Sequence, residues 1–340
     1  MIQSKLPNKT KFAALCLFFL LCFFGSFLLG KYPIDPWTLI QILFSQIFPL
    51  EPSWDHQSET ILFQVRLPRI LAAVLIGAAL SGAGACYQGL FRNPMVSPDV
   101  LGASAGAGFG AALALILSFR YLGISLCSFF FGILAVLIVY LISTRARGNP
   151  ILGLVLSGIM ISSVFSSATS FLKLVADQTN VLPAITYWLM GSLASIRQAD
   201  LRFSALPILL GLLPMLFLRW RMNVLTMGEE EARSMGVNTR AIRLVIIVCA
   251  TFVTSASVAV SGMIGWVGLV IPHFSRMIFG SDYRVMLPAS MVMGAAYLVL
   301  VDDFARLIST AEIPLGILTA FLGAPFFVFL ILREGKSDVN

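Results

Sequence analysis

Charge is the scarcest property of this sequence. Only 11% of its 340 residues are Asp, Glu, Lys or Arg, whereas 58% are hydrophobic. A soluble domain carries about 25% charged residues, so a water-soluble enzyme is excluded. Disordered and collagen-like chains are excluded by the same composition. The sequence is typical of an all-α polytopic membrane protein.

Residues that bind metals or cofactors are also scarce. The five cysteines lie in apolar stretches without a C-x-x-C pair, and the two histidines, His56 and His273, have no partners at metal-ligand spacing. Residues 25–31 nearly match a phosphate-binding loop, but Tyr32 stands where Ser or Thr is required. We therefore expect no catalytic residue, metal or cofactor in this chain, and any ATP and Mg²⁺ on a partner subunit. The net charge of +7 is not gathered in basic runs, which argues against nucleic acid as a partner.

Hydropathy divides the chain into ten candidate spans, because one crossing of a bilayer takes about 20 apolar residues. They lie at 12–30, 68–90, 99–119, 122–143, 150–171, 202–220, 241–260, 264–279, 285–308 and 314–332. Ser97 before Pro98 and Asn149 before Pro150 predict capped helix starts. We interpret residues 1–340 as a single transmembrane domain.

Small residues crowd the second and third spans. Residues 77–85 include three glycines, and Gly102, Gly106 and Gly110 follow at intervals of four. Such ridges let helix backbones approach closely in lipid, so we predict a packing role for them.

The basic residues predict the orientation. Most of the 23 lysines and arginines fall in loops that lie inside if the N-terminus lies inside. The lysine-containing start at 5–11 precedes an apolar stretch without an A-x-A cleavage site, so we interpret 12–30 as a retained first span. Both termini are expected in the cytoplasm.

Two connections outside the spans also look structured. Asp35-Pro36 predicts a short helix over 37–48 on the outer surface. In the inner connection 223–240, Thr226 and Glu229 have capping-box spacing, and Gly236 is a candidate C-cap. Asn238 is then placed to cap the seventh span. The alternative for this inner connection is a solvated loop.

Serines mark one face of the fifth span. Ser163, Ser166, Ser167 and Ser170 share a helical face and could form the wall of a wet, uncharged passage. The alternative is a silent stripe in which each hydroxyl bonds to its own helix backbone.

Charged residues within the spans are few. Asp302, Asp303 and Arg306 lie near the outer end of the ninth span at spacings that favour local pairing. No carboxylate is evident near mid-membrane, which argues for energy supplied from outside the membrane. Arg66 and Arg69 precede the second span, either as interfacial anchors or as docking points for acidic residues of an outer partner.

Taken together, these motifs resemble the FecCD permease family, the ten-span type II ABC importer permeases for iron–siderophores, haem and cobalamin. The resemblance covers roughly residues 60–332 and rests on segments that follow one another in the family's order. They are RLPR at 66–69, GAALSGAG at 77–84, FRNPM at 91–95, DVLG at 99–102, GEEEA at 228–232, GMIGWVGLVIPH at 262–273 and GAPF at 323–326.

The resemblance implies a set of partners in a bacterial inner membrane. These are a second copy of the chain in a homodimer, two cytoplasmic ATPase subunits, a periplasmic or extracellular solute-binding protein and the lipid bilayer.

The resemblance also implies roles for particular residues. It assigns ATPase coupling to Thr226, Gly228, Glu229, Glu230, Glu231, Ala232, Arg233 and Gly236. It assigns docking of the binding protein to Arg66, Arg69 and Arg306. It assigns the cytoplasmic gate to Asn93, Pro94, Met95, Ile151 and Leu152. The serine face of the fifth span (Ser163, Ser166, Ser167 and Ser170) and the tenth span would line the passage.

The expected function is that of a permease subunit which carries a metal chelate and is driven by a separate ATPase. Some relatives carry oxyanions such as molybdate, which is the first alternative. The second is a secondary transporter that works alone, which would require a buried carboxylate pair or uptake without ATP. An intramembrane enzyme would require a catalytic cluster that the sequence does not contain.

Overall fold

The computed structural model describes residues 7–45, 48, 54–146 and 149–334, with side chains described as far as residue 328. Every regular element in these ranges is helical. The helices are α1 (Asn8–Leu28), α2 (Pro36–Ser45), α3 (His56–Thr60), α4 (Leu67–Leu90), α5 (Ala103–Ile116), α6 (Tyr121–Arg145), α7 (Pro150–Val175), α8 (Val181–Leu189), α9 (Gln198–Met227), α10 (Glu229–Ser234), α11 (Thr239–Ser261), α12 (Val267–Phe279), α13 (Tyr283–Leu307) and α14 (Leu315–Glu334).

Each of the ten predicted spans contains a helix. Seven helical stretches in the described ranges are long and apolar enough to cross a membrane. Three shorter apolar helices, Ala103–Ile116, Val267–Phe279 and Leu315–Val328, correspond to the third, eighth and tenth predicted spans. The fold is therefore the predicted all-α polytopic one.

Two predicted helix starts need correction, and one is confirmed. Ser97 makes no capping bond, and Pro98–Leu101 forms a 3₁₀ turn that ends at Gly102, so α5 begins at Ala103 rather than at residue 99. The eighth span begins at Val267 rather than at 264, because Trp266 has a left-handed backbone conformation (φ +69°). Asn149 does cap α7, since its side chain accepts a hydrogen bond from the Ile151 amide.

Three helical segments were not predicted from the sequence, and one prediction is only partly covered. α3 and the π-helical segment Ile61–Arg66 extend α4 into one apolar stretch, His56–Leu90, and α8 lies between α7 and α9. The predicted outer helix 37–48 is observed as Pro36–Ser45, with the Asp35 carboxylate accepting from the Trp37 amide at 2.9 Å. Residues 46 and 47 lie outside the described residues, as do Lys5 and the two chain ends used in the orientation argument.

α4, α11 and α13 form the centre of the bundle. The apolar stretches of α4 and α11 are each 78% buried, whereas those of α1 and α7 are each 17% buried. α4 packs against α9, α11, α12 and α13, and α1 packs along the outside of α13. The peripheral helices expose large apolar side chains such as Phe24, Met160 and Phe217, as a surface in contact with lipid or another subunit does.

The glycines of the second span have the predicted packing role. A Cβ on Gly77 would overlap the Gly294 carbonyl group of α13, and one on Gly84 would overlap the backbone of Gly268 in α12. The backbones therefore touch at these positions, as in small-residue helix interfaces of membrane proteins.

Candidate functional site

The connection between α9 and α11 contains a short helix, as predicted. Gly228, with a φ of +147°, separates α9 from α10, and Gly236, with a φ of +76°, follows α10. The Asn238 side chain accepts a hydrogen bond from the Ala241 amide at 3.0 Å and so caps α11 as predicted. We refer to residues 223–240, for which ATPase coupling is a prediction, as the coupling segment.

The predicted capping box at Thr226 is wrong. Thr226 lies in the last turn of α9, where its hydroxyl donates to the Asn223 carbonyl at 2.7 Å, and α10 begins after Gly228. The sequence pattern is that of a helix start, but the preceding helix continues through it. The backbone at Gly228, between the two helices, has a positive φ that glycine adopts without strain.

Glu229 fixes the start of α10 to its neighbours. Its carboxylate is 2.8 Å from Arg233 one turn later and 3.2 Å from Arg243 of α11. Partial burial raises the pKa of Glu229, but the two arginines outweigh that effect and hold its pKa below the usual value. Glu229 is therefore a charged anchor between α10 and α11.

The remaining surface of α10 is available to another protein. Glu230, Glu231, Arg233 and Ser234 are exposed, whereas Ala232 is fully buried against the bundle. The exposed methionines Met227 and Met235 flank these side chains. The segment thus presents acidic and apolar groups together outward from a fixed base.

The charges near the C-terminal end of α13 are paired, but only partly as predicted. Asp302 does not pair with Arg306; its carboxylate receives two bonds from Arg69 of α4, at 2.8 and 2.9 Å. Arg69 also contacts Glu312 at 2.9 Å. Helical spacing predicts Arg306, four residues later, as the partner of Asp302. The packing of α4 on α13 instead places Arg69 against the Asp302 carboxylate.

Asp303 and Arg306 do form the predicted local pair, and Ser26 of α1 joins it. The Ser26 hydroxyl donates to Asp303 at 2.6 Å, and the guanidinium of Arg306 donates to the Ser26 carbonyl oxygen at 2.9 Å. The guanidinium of Arg66 donates to the backbone carbonyls of Phe27 and Tyr32. These contacts join α1, α4 and α13 at one end of the bundle. We call the whole set the α13 charge cluster (Ser26, Arg66, Arg69, Asp302, Asp303, Arg306 and Glu312).

The three arginines expected to dock a binding protein are therefore engaged inside the chain. Arg66, Arg69 and Arg306 are 3%, 6% and 5% exposed. In this arrangement of the helices they offer little surface to an outer partner, and their docking role stays a prediction. No pattern in the sequence indicates Ser26 or Glu312, because their pairing depends on the meeting of segments that are distant along the chain.

The predicted gate residues lie at two exposed helix ends. Asn93, Pro94 and Met95 are exposed, and the Asn93 side chain accepts from the Met95 amide at 2.9 Å to form a tight turn. Ile151 and Leu152 lie in the first turn of α7, with Leu152 57% exposed. Their function as a gate stays a prediction.

The serine face of α7 is exposed on the single chain, and two of its hydroxyls bond to their own helix backbone. Ser163, Ser166, Ser167 and Ser170 are all exposed on the single chain. Ser163 donates to the Ile159 carbonyl and Ser170 to that of Ser166, each at 3.0 Å. Those two hydroxyls donate to the backbone of their own helix, and their oxygens remain able to accept a hydrogen bond. A role in lining a passage stays a prediction.

The described ranges show no candidate metal site. Those ranges contain no group of three or more His, Cys, Asp or Glu side chains that could hold a metal ion.

The described fold is that of a multi-pass helical membrane protein with a short helix, α10, anchored between two long helices. The chain belongs to the FecCD transport family, which it matches over residues 17–333. It is an ABC importer permease of that family.

Relatives within the family carry different cargoes. The molybdate import system permease protein MolB of Haemophilus influenzae is 39% identical, and the alignment covers 92% of each chain. A probable iron chelatin transport system permease of Helicobacter pylori is 40% identical, over 80% of this chain and 82% of the relative. An ABC transporter described as of the metal-chelate type, solved in an inward-facing conformation, is 38% identical with a TM-score of 0.85, over 96% of this chain and 99% of that chain.

Proposed function

We propose that this chain forms, as a homodimer, the translocation pathway of an ABC importer that carries a metal chelate of the iron–siderophore, haem or cobalamin class. Two cytoplasmic ATPase subunits bind its coupling segment, and an outer solute-binding protein delivers the cargo. Both chain termini lie in the cytoplasm of a bacterial cell. The observation that carries the proposal is α10, a short helix with an exposed acidic surface held against α9 and α11.

The anchored base of α10 suits it to transmit a movement. Ala232 is fully buried and Glu229 is paired with Arg243 of α11, so a partner that displaces α10 also displaces the helices it packs against. Helices packed at the density of a protein interior respond as rigid bodies rather than deforming continuously. ATP-driven closure of the partner subunits would thus tilt the spans and open the path alternately at each end.

The metal-chelate cargo is supported by the iron chelatin relative and by the structural neighbour of metal-chelate type. Molybdate is the second candidate, favoured by the MolB alignment across 92% of both chains.

The cargo is tested on the cognate binding protein together with the reconstituted importer. The binding protein is titrated with a ferric hydroxamate, haemin, cyanocobalamin and molybdate, and ATP-driven uptake of each is then measured in vesicles. Binding and uptake of one of the first three supports the metal-chelate proposal. Binding and uptake of molybdate alone would replace it with the second candidate.

A further inference from the structure

A side-chain amide in the last turns of α9 bonds twice to the start of α13. Asn223 donates from Nδ2 to the Asp282 carboxylate at 2.6 Å, and its Oδ1 accepts from the Tyr283 backbone amide at 2.8 Å. Both functional ends of the amide are therefore used on the same helix start. Asn223 stands at the beginning of the coupling segment, one turn before α9 ends at Met227.

The contact continues from α13 to the central helix α4. Tyr283 is 3% exposed, and its hydroxyl donates to the Ala85 carbonyl of α4 at 3.1 Å. A Cβ on Gly89 of α4 would overlap that same hydroxyl. The inner turn of α4 is thus shaped around the tyrosine that Asn223 holds.

Asp282 is placed to be a charged partner for the amide. It caps α13 by accepting from the Arg284 amide at 2.9 Å, and the Arg284 side chain approaches the same carboxylate at 3.1 Å. Slight burial raises the pKa of Asp282, but these bonds and the one from Asn223 outweigh it and hold its pKa below the usual value. The bond from Asn223 is therefore charge-assisted, which is the stronger kind.

α10 itself packs chiefly against α9 and α11. A movement of α10 can reach α4 through α9 or α11, which both pack on it, and reaches the start of α13 through α9. Two side chains of α9 make polar contacts there: Asn223, with two bonds, and Arg219, whose guanidinium donates to the Arg284 carbonyl at 3.3 Å. Asn223 is the one of the two that lies in the coupling segment. We propose that Asn223 is a positioning residue that transmits displacement of α10 to α13 and, through Tyr283, to α4. This inference rests on the proposed function, because it concerns the same ATP-driven movement.

The test is a reversal of the bond's polarity. Asn223→Asp places a second carboxylate against Asp282, so the bond is lost and repulsion replaces it. The double variant Asn223→Asp/Asp282→Asn restores a carboxylate–amide pair in which the introduced carboxylate still accepts from the Tyr283 amide. The Asp282 Oδ1 that accepts from Asn223 also caps the Arg284 amide, so an asparagine at position 282 that turns its Nδ2 toward the introduced carboxylate must cap with its other atom, Oδ1. Asp282→Asn alone, which keeps an oxygen for both bonds, is therefore measured as the control for the cap.

The matched control makes the same substitution beside another carboxylate. The Asp177 carboxylate accepts from the Asn180 backbone amide at 2.7 Å in the exposed connection between α7 and α8. Asn180→Asp lies outside the coupling segment and is expected to leave transport unchanged.

Each variant is measured in vesicles as the full complex with its ATPase subunits and binding protein. The readouts are the amount of assembled complex, the rate of ATP hydrolysis, and uptake of whichever of ferric hydroxamate, haemin, cyanocobalamin or molybdate the wild type transports. We expect Asn223→Asp to assemble normally and hydrolyse ATP while uptake per ATP falls about tenfold, since one charge-assisted bond is lost. The double variant should recover most of that ratio.

Two outcomes would overturn the inference while leaving the proposed function intact. One is an uptake-to-hydrolysis ratio in Asn223→Asp equal to that of the wild type. The other is a double variant that assembles normally but stays as uncoupled as Asn223→Asp, while Asp282→Asn alone stays coupled. A wild-type complex that takes up none of the four probes with ATP would instead overturn the proposed function, and the inference with it.

Discussion

The bidentate pair between Arg69 and Asp302 offers the sharpest test of how the outer ends of the helices are held. Both side chains are buried, at 6% and 1% exposure, and the two bonds measure 2.8 and 2.9 Å. Arg69→Met keeps the apolar stem and removes the charge, which leaves the Asp302 carboxyl group without its partner in a buried site. Breaking a buried pair in this way costs about 3–5 kcal/mol.

Asp302→Asn is expected to cost less than Arg69→Met. Arg69 then keeps Glu312, which lies 2.9 Å away and is partly exposed, so the remaining charge is still compensated. We expect about 1–3 kcal/mol, the cost of weakening buried hydrogen bonds. The double variant should cost less than the sum of the two single changes by about 0.5–3 kcal/mol, as contacting residues do.

The assay is unfolding of the purified permease in mixed micelles, followed by tryptophan fluorescence. Arg202→Met, a change at an exposed arginine of α9, is the control and should stay within about 0.5 kcal/mol of the wild type. An Arg69→Met variant as stable as this control would refute the reasoning. If that variant were stable but bound the solute-binding protein poorly, Arg69 would be a docking residue instead of a structural one.

Three further predictions concern other parts of the chain. Gly77→Leu should destabilise the permease by about 1–3 kcal/mol or more, because the leucine side chain would enter the contact between α4 and Gly294 of α13. Unfolding in micelles measures this loss, and an unchanged unfolding midpoint would contradict the packing of α4 on α13. Because the pKa of Glu229 is lowered in the folded chain, its contribution to stability is present above the ordinary value of 4.5 and is lost as the pH falls through the lowered value. The difference in unfolding free energy between wild type and Glu229→Gln should therefore shrink on acidification from about pH 7 to about pH 3. A difference that grew over this range would show that folding raises the pKa of Glu229. Reversing the exposed charges with Glu230→Lys and Glu231→Lys should leave unfolding unchanged and reduce ATP-driven uptake relative to hydrolysis; full retention of coupled uptake would count against contact of α10 with the ATPase.

The spans were predictable because hydropathy is a property of each segment by itself. All ten predicted spans contain helices, and the caps at Asn149 and Asn238 follow from short-range hydrogen bonds that the sequence displays directly. The short helices α3 and α8 were missed because neither is long enough to register as a crossing of the bilayer.

Errors arose where a local pattern competed with tertiary packing. Thr226 and Glu229 satisfy the spacing of a capping box, but α9 continues through Thr226 and Gly228 makes the break. Asp302 and Arg306 satisfy the spacing of a helical ion pair, but Arg69 arrives from α4 at a shorter distance. Asn223 lies 59 residues from Asp282, and no local pattern indicates that the two would meet.

The central claim is that this chain conducts a solute while a separate ATPase supplies the energy. The most direct measurement is uptake into vesicles that contain either the purified permease alone or the permease with its ATPase subunits, each with binding protein and cargo. We predict accumulation against a gradient only with the ATPase subunits and hydrolysable ATP. Uphill accumulation by the permease alone would contradict the account.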